Sequence, residues 1–205
     1  MRTPPLRFSI ALAVALATGA TLTGCGTPPW EEPGGSTSAP TGSPTATVPA
    51  PVPNDLSSGS TQRELQAGAV SATVDYWSPL SMDQWTPGAL KPLNMSLTTT
   101  VTPDDGKKVY LQQASVVAIP ATATGQLAPL AAQTDTATVN PGYLVLSPQS
   151  YSQTFQIGAV PEEADRVILQ ITYDFLMQTA PDSADYAKQT ATDVLTVALT
   201  APPAP

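Results

Sequence analysis

The 205-residue sequence contains no histidine and a single cysteine. One thiol cannot close an intramolecular disulfide, so any folded domain here must rest on its apolar core. Without histidine the chain lacks the commonest general base and the commonest metal ligand. Ser-His-Asp and Cys-His nucleophile systems are excluded, as are zinc sites built on imidazole. Charge is scarce as well, at 12% of residues against roughly 25% in an average soluble protein. The basic sign is the rarer, with 8 Lys and Arg against 16 Asp and Glu. An acidic chain of this kind repels phosphate backbones, so nucleic acid is not expected as a partner. Long hydrophobic runs are missing too. The stretch from Phe8 to Ala17 is apolar, but a membrane-spanning helix needs about 20 such residues.

That short run has a context. Arg2 and Arg7 precede or flank it, no acid lies near, and small residues follow it up to Leu22-Thr23-Gly24-Cys25. A basic start, a short apolar stretch and a small-residue cleavage region make up a secretory signal, here residues 1–24. Leu22-Thr23-Gly24-Cys25 resembles the lipobox of bacterial lipoproteins, with the only cysteine of the chain at the lipidated position. The resemblance implies that the Cys25 sulfur carries a diacylglyceryl group and that the signal is cut just ahead of it. The mature chain would then sit at the extracytoplasmic face of the cell membrane. Two or more acyl chains make such an anchor stable, since each buried methylene contributes about 0.8 kcal/mol. Losing Arg2 and Arg7 leaves six basic and sixteen acidic residues, a net charge of −10.

Residues 25–62 read as a tether. Eight prolines, from Pro28 to Pro53, stand among Gly, Ser, Thr and Ala, a composition that cannot bury enough apolar surface to offset the entropy of ordering. As a random coil, 36 residues would span roughly 30–36 Å, and fully extended about 110 Å. The tether would therefore hold a domain clear of the bilayer.

From about Arg63 to residue 200 the pattern becomes that of strands. Apolar and polar residues alternate through Val70–Trp77, Leu93–Val101, Val167–Phe175 and Leu195–Leu199, the period of a strand with one face in a core and one in water. Val109–Ile119 is more evenly apolar and reads as a central strand; Thr134–Val139, Tyr143–Leu146 and Tyr151–Ile157 are shorter candidates. Asp105-Gly106 and Asn140-Pro141-Gly142 mark turns. Ser81–Gln84 has capping-box spacing, but Pro87 limits it to a single helical turn. The expectation is an all-β, antiparallel sandwich of seven or eight strands, with a short tail at 201–205. The lipobox, the Pro/Thr tether and these strands together resemble the immunoglobulin-like domains of actinobacterial surface lipoproteins. The resemblance implies an immunoglobulin-like fold and carries no functional residues, since the cysteine and core-tryptophan pattern of antibody domains is missing.

Little is left for catalysis. Lys91, Lys107, Lys108 and Lys188 are the lysines that could serve a Ser-Lys dyad, but none has Ser-x-x-Lys spacing, and solvated surface is the better reading. Asp75 and Asp174 lie at outward strand positions and could form a carboxylate pair only if they shared a cleft; surface charge is the commoner use of such positions. Asp104-Asp105 and Asp182–Asp185 are acidic clusters without an EF-hand pattern, so neither a metal nor a cofactor is expected. Trp77 and Trp85 are the aromatics that could mark a binding surface; alternatively they cap one end of the sandwich beneath the apolar 78–92 loop. The expected role is a non-catalytic binding or structural module of the cell envelope, facing a protein or wall polymer. A glycan hydrolase and a solute or lipid carrier are the alternatives.

Overall fold

The computed structural model describes residues 51–201. The signal peptide, the lipobox with Cys25, most of the tether and residues 202–205 lie outside the described residues. The described chain is all-β, with two antiparallel sheets packed face to face. The first sheet joins β1 (Ser60–Ala67), β2 (Val70–Trp77), β3 (Lys91–Val101) and β8 (Tyr151–Ile157) in the order β1-β2-β3-β8. The second runs β10 (Tyr186–Ala198), β9 (Arg166–Gln178), β4 (Val109–Thr122). The far side of β4 is covered in turn by β5 (Gly125–Gln126), β6 (Gln133–Thr136) and β7 (Tyr143–Leu144).

Alternation decides which face each strand buries. In β2, Val70, Ala72, Val74 and Tyr76 point inward and are fully buried, and in β9 Val167, Leu169, Ile171, Tyr173 and Phe175 do the same. A one-residue slip would exchange these faces, so the pattern also fixes register. Between the sheets the Tyr76 and Tyr173 hydroxyls meet at 3.0 Å, and Tyr173 Oη donates to Met95 Sδ at 3.3 Å. These contacts give two buried phenols the polar partners that burial demands.

Two turns show why glycine stands where it does. Gly68 and Ala69 form the two-residue connection of β1 and β2, and Gly68 has φ +59°, as the first position of a type II′ hairpin requires. A Cβ at Gly142 would lie 2.5 Å from the Leu111 carbonyl oxygen. Only glycine lets that segment lie against β4.

The connections pass between sheets. After β3 the chain crosses to β4, and after β7 it returns to β8. Val145 marks the return: its N–H donates to Val109 O at 3.0 Å, and its carbonyl accepts from Thr99 N at 2.8 Å and Thr99 Oγ1 at 3.1 Å. One peptide segment thus bonds to both sheets. At one end of the sandwich the 78–90 loop winds around Trp85, which is fully buried and whose indole N–H donates to Ser78 Oγ at 3.1 Å. The single helical turn expected there is a 3-10 turn, Met82–Gln84.

The folded part begins earlier than composition implies. Leu56 is fully buried, and Asp55 bonds along β10: its N–H donates to Thr196 O at 2.8 Å and its Oδ2 accepts from Thr196 N at 2.7 Å. Asp55 Oδ1 also pairs with Arg63 at 2.8 Å. The boundary at residue 63 is therefore corrected to about residue 54. β1 escapes the alternation test because it is an edge strand with polar residues on both faces, and Leu56 enters the core from an otherwise polar turn. Replacing Leu56 by Ala should lower stability by about 2–5 kcal/mol. A urea-unfolding midpoint unchanged by the substitution would remove residue 56 from the core.

Candidate functional site

The two sheets close against each other at one seam and part at the other. At the closed end of the second seam, Gln133 of β6 reaches β8. Its Nε2 donates to Gln156 O at 2.6 Å and its Oε1 accepts from Gln156 N at 3.0 Å. A side-chain amide here takes the place of a neighbouring strand. Beyond this clamp a groove of about 510 Å³, here called the wedge, opens between β6 and β8, lined by residues of β6, the 137–142 loop, β7 and β8.

Its floor is aromatic. Tyr143 and Tyr151 stack with centroids 5.7 Å apart and planes at 21°, and the buried Tyr151 hydroxyl donates to Asp135 Oδ2 at 2.7 Å. Burial, helped by the Asp135 carboxylate, raises the Tyr151 phenol above its ordinary 10, so it stays protonated and keeps donating. Val139 and Leu144 project into the groove and are 55% and 36% exposed. Ser152 and Gln153 complete the β8 side.

The groove wall is held by irregularities in β4. The register of β4 against β9 shifts between Leu111 and Gln113, a β-bulge that inserts Gln112. The Gln112 carbonyl accepts from Ala137 N at 2.9 Å, which anchors the 137–142 loop, and Gly142 fits tightly against Leu111.

Of the residues singled out from sequence, Trp77 is half-buried on the outer face of the first sheet. It lines a shallow depression of about 250 Å³ that shares Ser152 and Gln153 with the groove. Trp85 is a correction: it is fully enclosed in the core and presents no binding surface. Asp75 and Asp174 do not share a cleft, because β2 and β9 belong to different sheets and each side chain points outward. Asp75 accepts from Gln62 at 2.8 Å, and Asp174 from Thr190 at 2.7 Å and from Lys188 at 3.0 Å. Lys107 pairs with Asp105 and Lys108 with Asp182. Among the described residues no three Cys, Asp or Glu side chains converge as metal ligands.

Lys91 is a second correction. It is wholly buried, not solvated, and its ammonium donates to the carbonyls of Thr86 at 3.1 Å, Pro87 at 3.2 Å and Ala89 at 2.6 Å. All its protons are taken by main-chain oxygens, so it holds the Trp85 loop closed. Asp135, Val139, Tyr143, Leu144 and Tyr151 line the groove without any motif or spacing that marks them as site residues. The available signal was the pair Tyr143 and Tyr151, each at a strand start just after a proline turn. No protein-family model and no curated protein matches the chain.

Desolvation pulls the Lys91 ammonium down to about 8 from its ordinary 10.5. Between those values the unfolded chain binds more protons than the folded one, so this group adds stability as pH rises from 8 towards 10.5. Burial raises the Tyr76, Tyr151 and Tyr173 phenols, so the unfolded chain deprotonates first and stability falls above pH 10 or so. Thermal melts should therefore show a maximum in the alkaline range, with a rising limb of order 1–3 kcal/mol. Lys91→Met should flatten that limb; a limb of equal size in the variant would show that another group causes it.

Proposed function

We propose that this chain is a lipid-anchored extracytoplasmic lipoprotein whose sandwich is a non-catalytic binding module, with the wedge between β6, β7 and β8 as its contact site. The observation that carries the reading is the wedge itself. It joins a stacked tyrosine floor, two exposed aliphatic side chains and one carboxylate in a single open concavity. Binding surfaces characteristically combine aromatic and aliphatic area with a few polar groups. The proposed placement in the cell rests on the order of Arg2, Arg7, the short apolar run and Leu22-Thr23-Gly24-Cys25.

An immunoglobulin-like kinship belongs to the same proposal. It is supported by the two antiparallel faces β1-β2-β3-β8 and β10-β9-β4 and by the repeated crossings between them, as in two-sheet Greek-key domains. The hydrolase alternative loses its support with Asp75 and Asp174 on separate outer faces. The carrier alternative loses support because Tyr76, Tyr173, Leu169 and Phe175 fill the interior and the groove of about 510 Å³ lies open at a seam.

Expression in a bacterial host with labelled palmitate tests the anchor. The wild-type chain should take up label and sediment with membranes, whereas Cys25→Ser should be unlabelled and leave the membrane fraction. An unlabelled, freely secreted wild-type chain would overturn the assignment.

A further inference from the structure

The Gln133 clamp determines which way the β8 backbone faces. Because Gln156 N and O both point away from β3, the even-numbered residues of β8 direct their amides outward. Two other bonds agree. Thr154 N–H turns out to the Gln153 Oε1 of its own chain at 2.8 Å, and Thr99 faces the β8 side of β3, donating to Val145. Three of these outward groups are covered: both on Gln156 and the N–H of Thr154. Ser152 N–H, Ser152 C=O and Thr154 C=O have no partner among the described residues. Ser152 lines the groove, and Thr154 lies between it and the clamp at Gln156.

An edge left open beside apolar side chains is a template for another strand. The first seam covers the same kind of outward group along part of β10. On β10, Asp55 covers both groups of Thr196, and Asp193 Oδ1 covers the N–H of Val194 at 2.8 Å. Charge narrows the occupant. Asp135 is the one ionisable acid lining the groove, no lysine or arginine lines it, and residues 51–201 carry six basic against fourteen acidic side chains. Asp135 Oδ2 is taken by Tyr151, leaving Oδ1 without a partner among the described residues.

We infer that the Ser152 edge of β8 is a strand-addition site for an extended peptide with apolar side chains at alternate positions and a basic residue beside Asp135. The peptide exchanges main-chain hydrogen bonds with Ser152 and Thr154, sets its apolar side chains against Val139, Leu144 and Tyr143, and places its cation at Asp135 Oδ1. This rests on the wedge being the contact site, and it commits that site to a polypeptide instead of a wall glycan.

The test uses the full chain in detergent micelles, panned against a display library of linear peptides about a dozen residues long. Enriched peptides should alternate apolar residues and carry Lys or Arg, bind in the micromolar range, and slow hydrogen exchange at the Ser152 amide. Ser152→Pro deletes the outward N–H without touching the ladder to β3 and should weaken binding about tenfold or more. Ser152→Ala, which keeps that N–H, should bind as the wild type does. Asp135→Asn should weaken basic peptides selectively. The inference is overturned if no peptide is enriched, or if a folded Ser152→Pro variant binds as tightly as wild type. Soluble peptidoglycan fragments that bind while Ser152 exchange stays unchanged would also overturn it. Should Ser152→Pro fail to fold, Ser152 exchange in the wild-type complex decides. None of these readouts involves Cys25, so loss of the anchor assignment and loss of this site are separately visible.

Discussion

An open sheet ends in backbone N–H and C=O groups that have lost a neighbour, and a sandwich of two such sheets has four such edges. With no disulfide among the described residues, this constraint organises the domain. The first seam is closed by Asp55 on β10 and by its ion pair to Arg63 of β1. The second is closed partly by Gln133 on β8 and partly by the 143–147 segment, where Val145 bonds to Val109 on one side and Thr99 on the other. Side-chain amides and carboxylates thus do what a further strand would do, and the groove opens where they stop.

The apolar core and the polar interior share one logic. Tyr76, Tyr173 and Lys91 bury polar atoms, and each finds a partner: phenol with phenol and thioether, ammonium with three carbonyls. An unpaired buried polar group would cost more than a satisfied one contributes. These contacts therefore act as specificity devices. They join β2, β3 and β9, and they hold the Trp85 loop at the end of β3.

Much of this architecture is readable from residue order alone. Val70–Trp77 and Tyr151–Ile157 are strands at the bounds read from the sequence, and Val70–Trp77 alternates a buried face with a more exposed one as its pattern indicates. What escapes has physical reasons. β1 and the first half of β10 lie at edges, where few side chains need be apolar, so the start of β1, residues 60–62, falls within the tether and the rest of it shows no strand pattern. Lys91 resembles any surface lysine until the carbonyls of 86, 87 and 89 are seen to converge on it. Trp85 and Trp77 are both aromatic residues near a loop, and only tertiary packing separates a core plug from a surface ring. The groove joins Asp135, Tyr143 and Tyr151 through strand register and a bulge at Gln112, and cross-strand register is not encoded by local periodicity.

The position of Asp55 has a mechanical consequence. The chain enters the domain along β10, at the seam opposite the groove, since β1 and β10 form one side of the two sheets and β6 and β8 the other. Tension applied ahead of Pro51 reaches the Asp55–Thr196 bonds and the β1–β2 hairpin first. It would peel the entry edge before it strained β8. Load and the open groove therefore lie on different strands, and the groove can keep its shape while the domain is pulled.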